Sequence, residues 1–208
     1  MLSIAIQHHP SRGHLLGGLA SLRAEVVTDP EPDGDPSAVR TYIECLRAIP
    51  AGATHRLVLQ DDAQPCSDFR ERAEAAVAER PGELLALFVP GMGLAGRWMR
   101  AAWKDGKRWL ELPTSMNWVP VVALVWPVEL ASSFVPFADE HVAGRAARRM
   151  ATMGDDPVVG RFRRVNHLAV WAPVPSLVQH PDLVPSLVKQ RSYGGRNPAR
   201  RAAVFVDD

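Results

Sequence analysis

THRLVLQDDAQPCSDF, residues 54–69, carries an apolar run, Leu57-Val58-Leu59, into Gln60, Asp61 and Asp62, and then turns at Pro65. A short apolar run bounded by turn residues reads as a strand buried on both faces. Two adjacent carboxylates at its carboxyl end have two possible uses. They can cap the helix predicted a few residues later. Or they can face a ligand, because open α/β sheets bind ligands beyond the carboxyl ends of their strands. Paired carboxylates repel each other and favour a bound cation, and magnesium or manganese completes its shell with water and phosphate oxygens. The second use therefore points to a metal-bound diphosphate.

The flanking sequence sets this strand in an α/β pattern. LSIAIQHHP reads as a strand and loop, GHLLGGLASL as a helix weakened by Gly17 and Gly18, and AEVVTD as a second strand ending at Asp29. PEPDGDP (30–36) is a loop by its turn residues, and SAVRTYIECLRAI a helix with Ser37 as N-cap. SDFRERAEAAVAER, capped by Ser67 or Asp68, is a helix, and ELLALFVP a fourth strand. Strands alternating with helices predict a mostly parallel sheet with helices on both faces. Beyond residue 90 the pattern loosens. GMGLAGRWMRAAWKDGKRWLELPTS, rich in Gly and Trp, is expected to be irregular. NWVPVVALVWP is expected as a strand, VELASSFVPFADEHVAGRAARRMATMG as helical in parts, and DDPVVGRFRR as a helix. HLAVWAPVPSLVQH is expected as a last strand and turn, and residues 189–208 as a basic, partly mobile tail. No linker divides the chain, so one domain is expected over residues 1–208.

With 208 residues, 47% hydrophobic and 23% charged, the composition suits a globular domain with a sizeable core. A net charge of +1 gives no global field for nucleic acid or anionic membrane. The two cysteines, Cys45 and Cys66, are too few for a four-thiolate zinc site and read as reduced cytoplasmic thiols. The N-terminus has no basic n-region, so no signal peptide is expected. The apolar stretch 118–137 contains three prolines and Glu129, and reads as a strand, turn and helix rather than as an integral membrane segment. There is no Walker loop, and no G-x-G-x-x-G follows the first strand.

Several segments in order resemble small bacterial and phage glycosyltransferases of the GT-A fold, in particular those related to the lipopolysaccharide glycosyltransferases. They are HPSR (9–12), HRLVLQDDAQPCSDF, VPVVALVWP (119–127), GDDPVVGRF (154–162) and VPSLVQHPDLVPSL (174–187). The resemblance implies a single-domain GT-A (Rossmann-like) fold. Residues 1–90 or so would bind the nucleotide-sugar and residues 91–188 or so the acceptor. It implies sugar transfer from a UDP- or GDP-sugar to a hydroxyl of a glycan, a lipid-linked sugar, a protein or a modified nucleic acid, assisted by Mn2+ or Mg2+.

By that resemblance Asp62 is the expected metal ligand, with Asp61 on the donor ribose or on a metal-bound water, and Gln60 offering a neutral oxygen. His180 would be a further ligand, since imidazole suits manganese; its alternative is a turn histidine bonded to backbone. Arg12 would hold base or phosphate, or be a solvated charge at a helix entry. Asp29 would touch base or ribose, or cap a turn. Asp155 and Asp156 form a second acidic pair. A sugar hydroxyl must lose a proton as it attacks, and Asp156, with Asp155 next, is the expected base; both also suit a helix N-terminus opening on Pro157. In the tail, Lys189, Arg191, Arg196, Arg200 and Arg201 would support the leaving diphosphate, with Gly194 and Gly195 permitting a lid. Trp98, Trp103, Trp109 and Trp118 would line the acceptor groove, with Met116 and Asn117 beside them. A base separate from the metal site implies inversion. Gln60 and the small size motivate a second reading, a non-catalytic nucleotide- or carbohydrate-binding module on the same fold.

Overall fold

In a computed structural model, which describes residues 1–35, 37–146, 154–181 and 201–207, the strand of the opening stretch is β3 (His55–Gln60), near the middle of a seven-stranded sheet. β1 (Leu2–His8) lies between β2 (Glu25–Thr28) and β3, parallel to both. On the other side of β3 runs β7 (Ala123–Pro127), antiparallel, followed by β5 (Leu84–Ala86), β8 (Val170–Pro173) and the edge strand β6 (Trp109–Leu112). Five strands run one way; β7 and β6 run against them. The sheet is thus α/β and mixed, more so than the sequence pattern predicts. β4 (Gln64–Pro65) and β9 (Val178–Gln179) form a separate two-stranded pair.

Alternation along each strand feeds two apolar layers. Leu57 and Leu59 of β3, Ile4 and Ile6 of β1, and Val125 of β7 face one side, with Phe69, Ala73 and Ala76 of helix α2 (Phe69–Glu79). Val58, Leu124 and Trp126 face the other, against α1 (Ala38–Arg47), α4 (Val128–Ala146) and α5 (Asp155–Val165). There the buried Trp126 Nε1 donates to Tyr42 Oη at 2.7 Å, so the indole satisfies its polar atom inside the layer.

Several expectations are corrected. Residues 91–115 are not irregular: they form α3 (Gly93–Lys104) and β6. Ala95, Met99 and Ala102 recur at helical spacing and are buried. The glycine that weakens the helical pattern is required by packing, because a Cβ on Gly96 would lie 2.7 Å from the Pro90 carbonyl oxygen. The helix expected over GHLLGGLASL (13–22) is instead part of a 3-10 segment, Pro10–Leu22, that buries only Leu19 and Leu22. α4 runs as one helix through Pro136. Ser37 and Asp68 sit at N-cap positions without a side-chain cap bond, and Ser67 bonds Asp207 instead. Of the expected tail only residues 201–207 are described, and they pack on the sheet: Ala203 N donates to Val89 O, Ser176 N to Val204 O, and Val206 N to Ser176 O. Among the described residues no helix is long and apolar enough to cross a membrane, and the stretch 118–137 becomes β7 and the start of α4.

Candidate functional site

Strand register brings the chemistry-bearing ends together. Asp61 N donates to Gln7 O, Asp29 N to His8 O, Gln60 N to Val122 O, and Leu87 N to Ala123 O. The carboxyl ends of β1, β2, β3 and β5 and the amino end of the reversed β7 therefore share one edge of the sheet. The N-terminus of α5 lines the same edge, and together they enclose a cavity of about 490 Å³. Cavities of this size suit a small organic ligand.

The acids of the opening stretch face this cavity and do not cap α2, which starts at Phe69. Arg12 reaches both, with Nη2 at 2.5 Å from Asp62 Oδ2 and 3.2 Å from Asp61 Oδ1. Asp61 also meets His8 Nδ1 at 3.0 Å and accepts from His9 N at 3.3 Å. Burial raises the pKa of Asp61 above its ordinary value, against the pull of Arg12 and the His9 N–H, and the charge of Asp62 adds to the rise. His180 Nδ1 bonds Pro181 O at 2.8 Å, which fixes a proton on that nitrogen and turns Nε2 to within 3.4 Å of Asp62 Oδ2. His180 is thus both a turn histidine bonded to backbone and a neighbour of the acids.

Across the cavity, Gly154 caps α5 and Asp155 and Asp156 form its first turn. Asp155 is buried; its Oδ1 accepts from Asp156 N at 3.0 Å and its Oδ2 from Gln60 Nε2 at 3.4 Å. Desolvation and the charge of Asp156 push its pKa up to about 6, while a hydrogen bond from Gln7 pulls the other way. Asp156 is half-buried at the cavity wall. Gln60, expected to contact a donor, thus bridges the two acidic pairs.

At the β2 end, Asp29 forms a bidentate pair with Arg40, at 2.8 Å to Nε and 3.0 Å to Nη2, and accepts from Glu31 N at 3.1 Å. Burial opposes its ionisation, but Arg40 and the Glu31 N–H outweigh burial and hold the pKa below the usual value. The turn-capping role expected for Asp29 is present, and the residue still lines the cavity.

Arg12, Asp29, Gln60, Asp61, Asp62, Asp155, Asp156 and His180 all line this one cavity. Arg191 and Arg196, with Lys189, Arg200 and the glycines at 194 and 195, lie outside the described residues. Of the tryptophans only Trp118 lines the cavity. Trp103 is exposed on α3, and Trp109 covers the Arg80 guanidinium from β6. Asn117 turns away to accept from Arg164 at 2.7 Å, and Met116 packs on the core. Gln7, His8 and Thr41 line the cavity, Arg40 holds Asp29 from behind it, and all four escape sequence reasoning. A polar residue ending a buried strand is the only signal Gln7 and His8 give, and none marks Arg40.

Two carboxylates and an imidazole whose tautomer is fixed by a carbonyl fit a divalent ion in donor chemistry. Arg12 holds the same oxygens, so an ion would compete with its guanidinium. As arranged, no group of three or more His, Cys, Asp or Glu among the described residues is set to hold a metal. Comparison of the chain with protein-family models and with curated proteins finds no match.

Proposed function

We propose that this chain is a glycosyltransferase of GT-A type that moves a sugar from a UDP- or GDP-sugar to a hydroxyl acceptor, with inversion. One observation carries the reading: two acidic pairs, Asp61-Asp62 and Asp155-Asp156, line a single ligand-sized cavity at the carboxyl edge of an α/β sheet. The cavity walls are net acidic: Arg12 is the guanidinium that lines them, and Arg40 pairs with Asp29 from outside the lining. A diphosphate entering such a site needs a cation with it. Asp62, with Asp61 and His180, would hold manganese or magnesium, which would offset the charge of the departing nucleoside diphosphate.

The protein's own residues account for the rest. Asp29 and Arg40 offer a fixed polar pair to a base or ribose, and Arg12 a guanidinium suited to phosphate oxygens. Arg191 and Arg196 remain candidates for the same phosphates. Asp156, backed by Asp155, takes the proton of the acceptor hydroxyl as that oxygen bonds to the anomeric carbon. The bond from that carbon to the diphosphate oxygen breaks, and the electron pair leaves with the diphosphate. The buried thiols Cys45 and Cys66 are free and suit a cytoplasmic protein. The acceptor is a glycan, a lipid-linked sugar, a protein or a modified nucleic acid.

A second reading is favoured by the Arg12 pairing, which already neutralises the first acid pair: a non-catalytic module that binds nucleotide or carbohydrate. Calorimetric titration with UDP and GDP, with and without manganese, tests the first. Manganese-dependent binding is expected, weakened at least about tenfold in Asp62→Ala, a loss of about 1.4 kcal/mol or more. Equal binding without metal and in the variant would sink the assignment of the acids. Binding without donor hydrolysis or transfer to any acceptor would favour the module.

A further inference from the structure

Helix α3 leaves the β5 end of the cavity wall and exposes a face unlike the rest of the surface. Met92, Leu94 and Trp103 are 60%, 53% and 53% exposed, three of the five large apolar side chains exposed to this degree among the described residues. Between them Arg97, Arg100 and Lys104 point outward, and no carboxylate pairs with any of the three among the described residues. Arg100 instead donates to the Gly91 carbonyl at 2.8 Å, which pins the start of the helix. Residues 92–108 hold five cations, Arg97, Arg100, Lys104, Lys107 and Arg108, and one acid, Asp105. Since the whole chain carries only +1, the other residues together are net negative.

The buried face of α3, Ala95, Met99 and Ala102, already anchors the helix in the core, so the exposed apolar groups have no fold to stabilise. On the helical wheel the three cations occupy the outward crest, with Leu94 and Trp98 on one flank and Trp103 on the other. Indoles favour the headgroup level of a bilayer, where one side of the ring is apolar and the other wet. Arg and Lys beside them meet lipid phosphates while their stems cover apolar surface. We infer that α3 is a docking face for an anionic lipid bilayer, lying flat at headgroup depth. Its first turn follows Pro90, which lines the cavity, so the docked face and the cavity are neighbours. If transfer is the activity, this favours an acceptor presented at the membrane surface. Docking itself does not depend on that reading, and its test uses no nucleotide.

The test is co-sedimentation of the full chain with phosphatidylcholine vesicles, with and without phosphatidylglycerol, at low and high salt. Binding only to the anionic vesicles is expected, falling with salt, with a blue shift of tryptophan emission. Arg97→Gln with Lys104→Gln should weaken it by about fivefold for each cation removed, whereas Arg72→Gln on α2 should leave it unchanged. Trp103→Ser should reduce both the binding and the blue shift. No vesicle binding, equal binding to neutral and anionic vesicles, or full binding by the double variant would overturn the inference. So would salt-sensitive binding to a single-stranded oligonucleotide that the double variant loses while vesicles are ignored.

Discussion

Asp155 begins α5 with its carboxylate out of water, and burial with the adjacent charge of Asp156 sets its pKa at about 6 against an ordinary 3.8. The folded protein therefore holds this proton more tightly than the unfolded chain does. Below the unfolded value the group costs nothing. As pH rises from there through about 6, the fold must carry a disfavoured charge and stability falls. Asp155→Asn keeps an acceptor for the Asp156 N–H and cannot ionise. The variant should lack a decline on the order of 3 kcal/mol that the natural protein shows between acid and neutral pH; urea unfolding at several pH values reads the difference. If Asp156 is the base of the proposed reaction, activity should survive in Asp155→Asn with its acid limb moved to lower pH, since one neighbouring negative charge is gone. If Asp155 is the base, activity is lost instead. Local pattern puts Asp61-Asp62 at a strand end and Asp155-Asp156 at a helix start, while the expectation that the pairs share a site comes from the resemblance to glycosyltransferases. The sequence does not show that Arg12 would close on Asp61 and Asp62 across 50 residues, or that Gln60 would bridge to Asp155 across 95. Such contacts depend on tertiary register.

At the scale of elements, α5 holds its acids in place by close approach. A Cβ on Gly160 would come within 2.6 Å of the Asn117 carbonyl oxygen and 2.8 Å of Trp118 Cα. Those backbone atoms cannot rotate aside, and the next residues, Val119 to Val122, line the cavity. Gly160→Ala should push α5 off this segment, costing about 1–3 kcal/mol in urea unfolding and weakening nucleotide binding in parallel. A stable variant with unchanged binding would mean that the helix can slide without moving the site. The same close packing explains what local pattern hides. Glycine lowers helix propensity, so α3 reads as irregular, yet Gly96 lets the helix lie close against the Pro90–Gly91 backbone that leads into it. β7 is legible as a strand, but nothing local tells that it runs backwards between β3 and β5. Its direction follows from the short connection into α4 and from pairing on both sides.

For the whole molecule, the last described segment closes the fold onto the site. Residues 201–207 run past β5 and the Ser176–Gln179 region, with Gly91 N donating to Arg201 O at 2.6 Å and Val206 N to Ser176 O at 3.2 Å. Asp207 takes both the N–H and the hydroxyl of Ser67, at 2.8 and 3.0 Å, which secures the entry to α2. Gln179 Oε1 accepts from Ala202 N at 2.5 Å and from His180 N at 3.1 Å. The strap therefore sets the backbone that carries His180 beside Asp62. Removing residues 201–208 would expose the apolar contacts of Phe205 and Val206 with the β3 layer and leave the Val89 carbonyl and Ser176 groups without their partners. Loss of several such bonds, each contributing about 1 kcal/mol, should lower the melting temperature. Asp207→Ala alone, which releases only Ser67, should lower it less. If His180 serves the site, the truncated chain should also bind manganese and nucleotide more weakly than Asp207→Ala at a temperature where both are folded. Equal binding by the two would confine the strap to stability and leave His180 held by β9 alone.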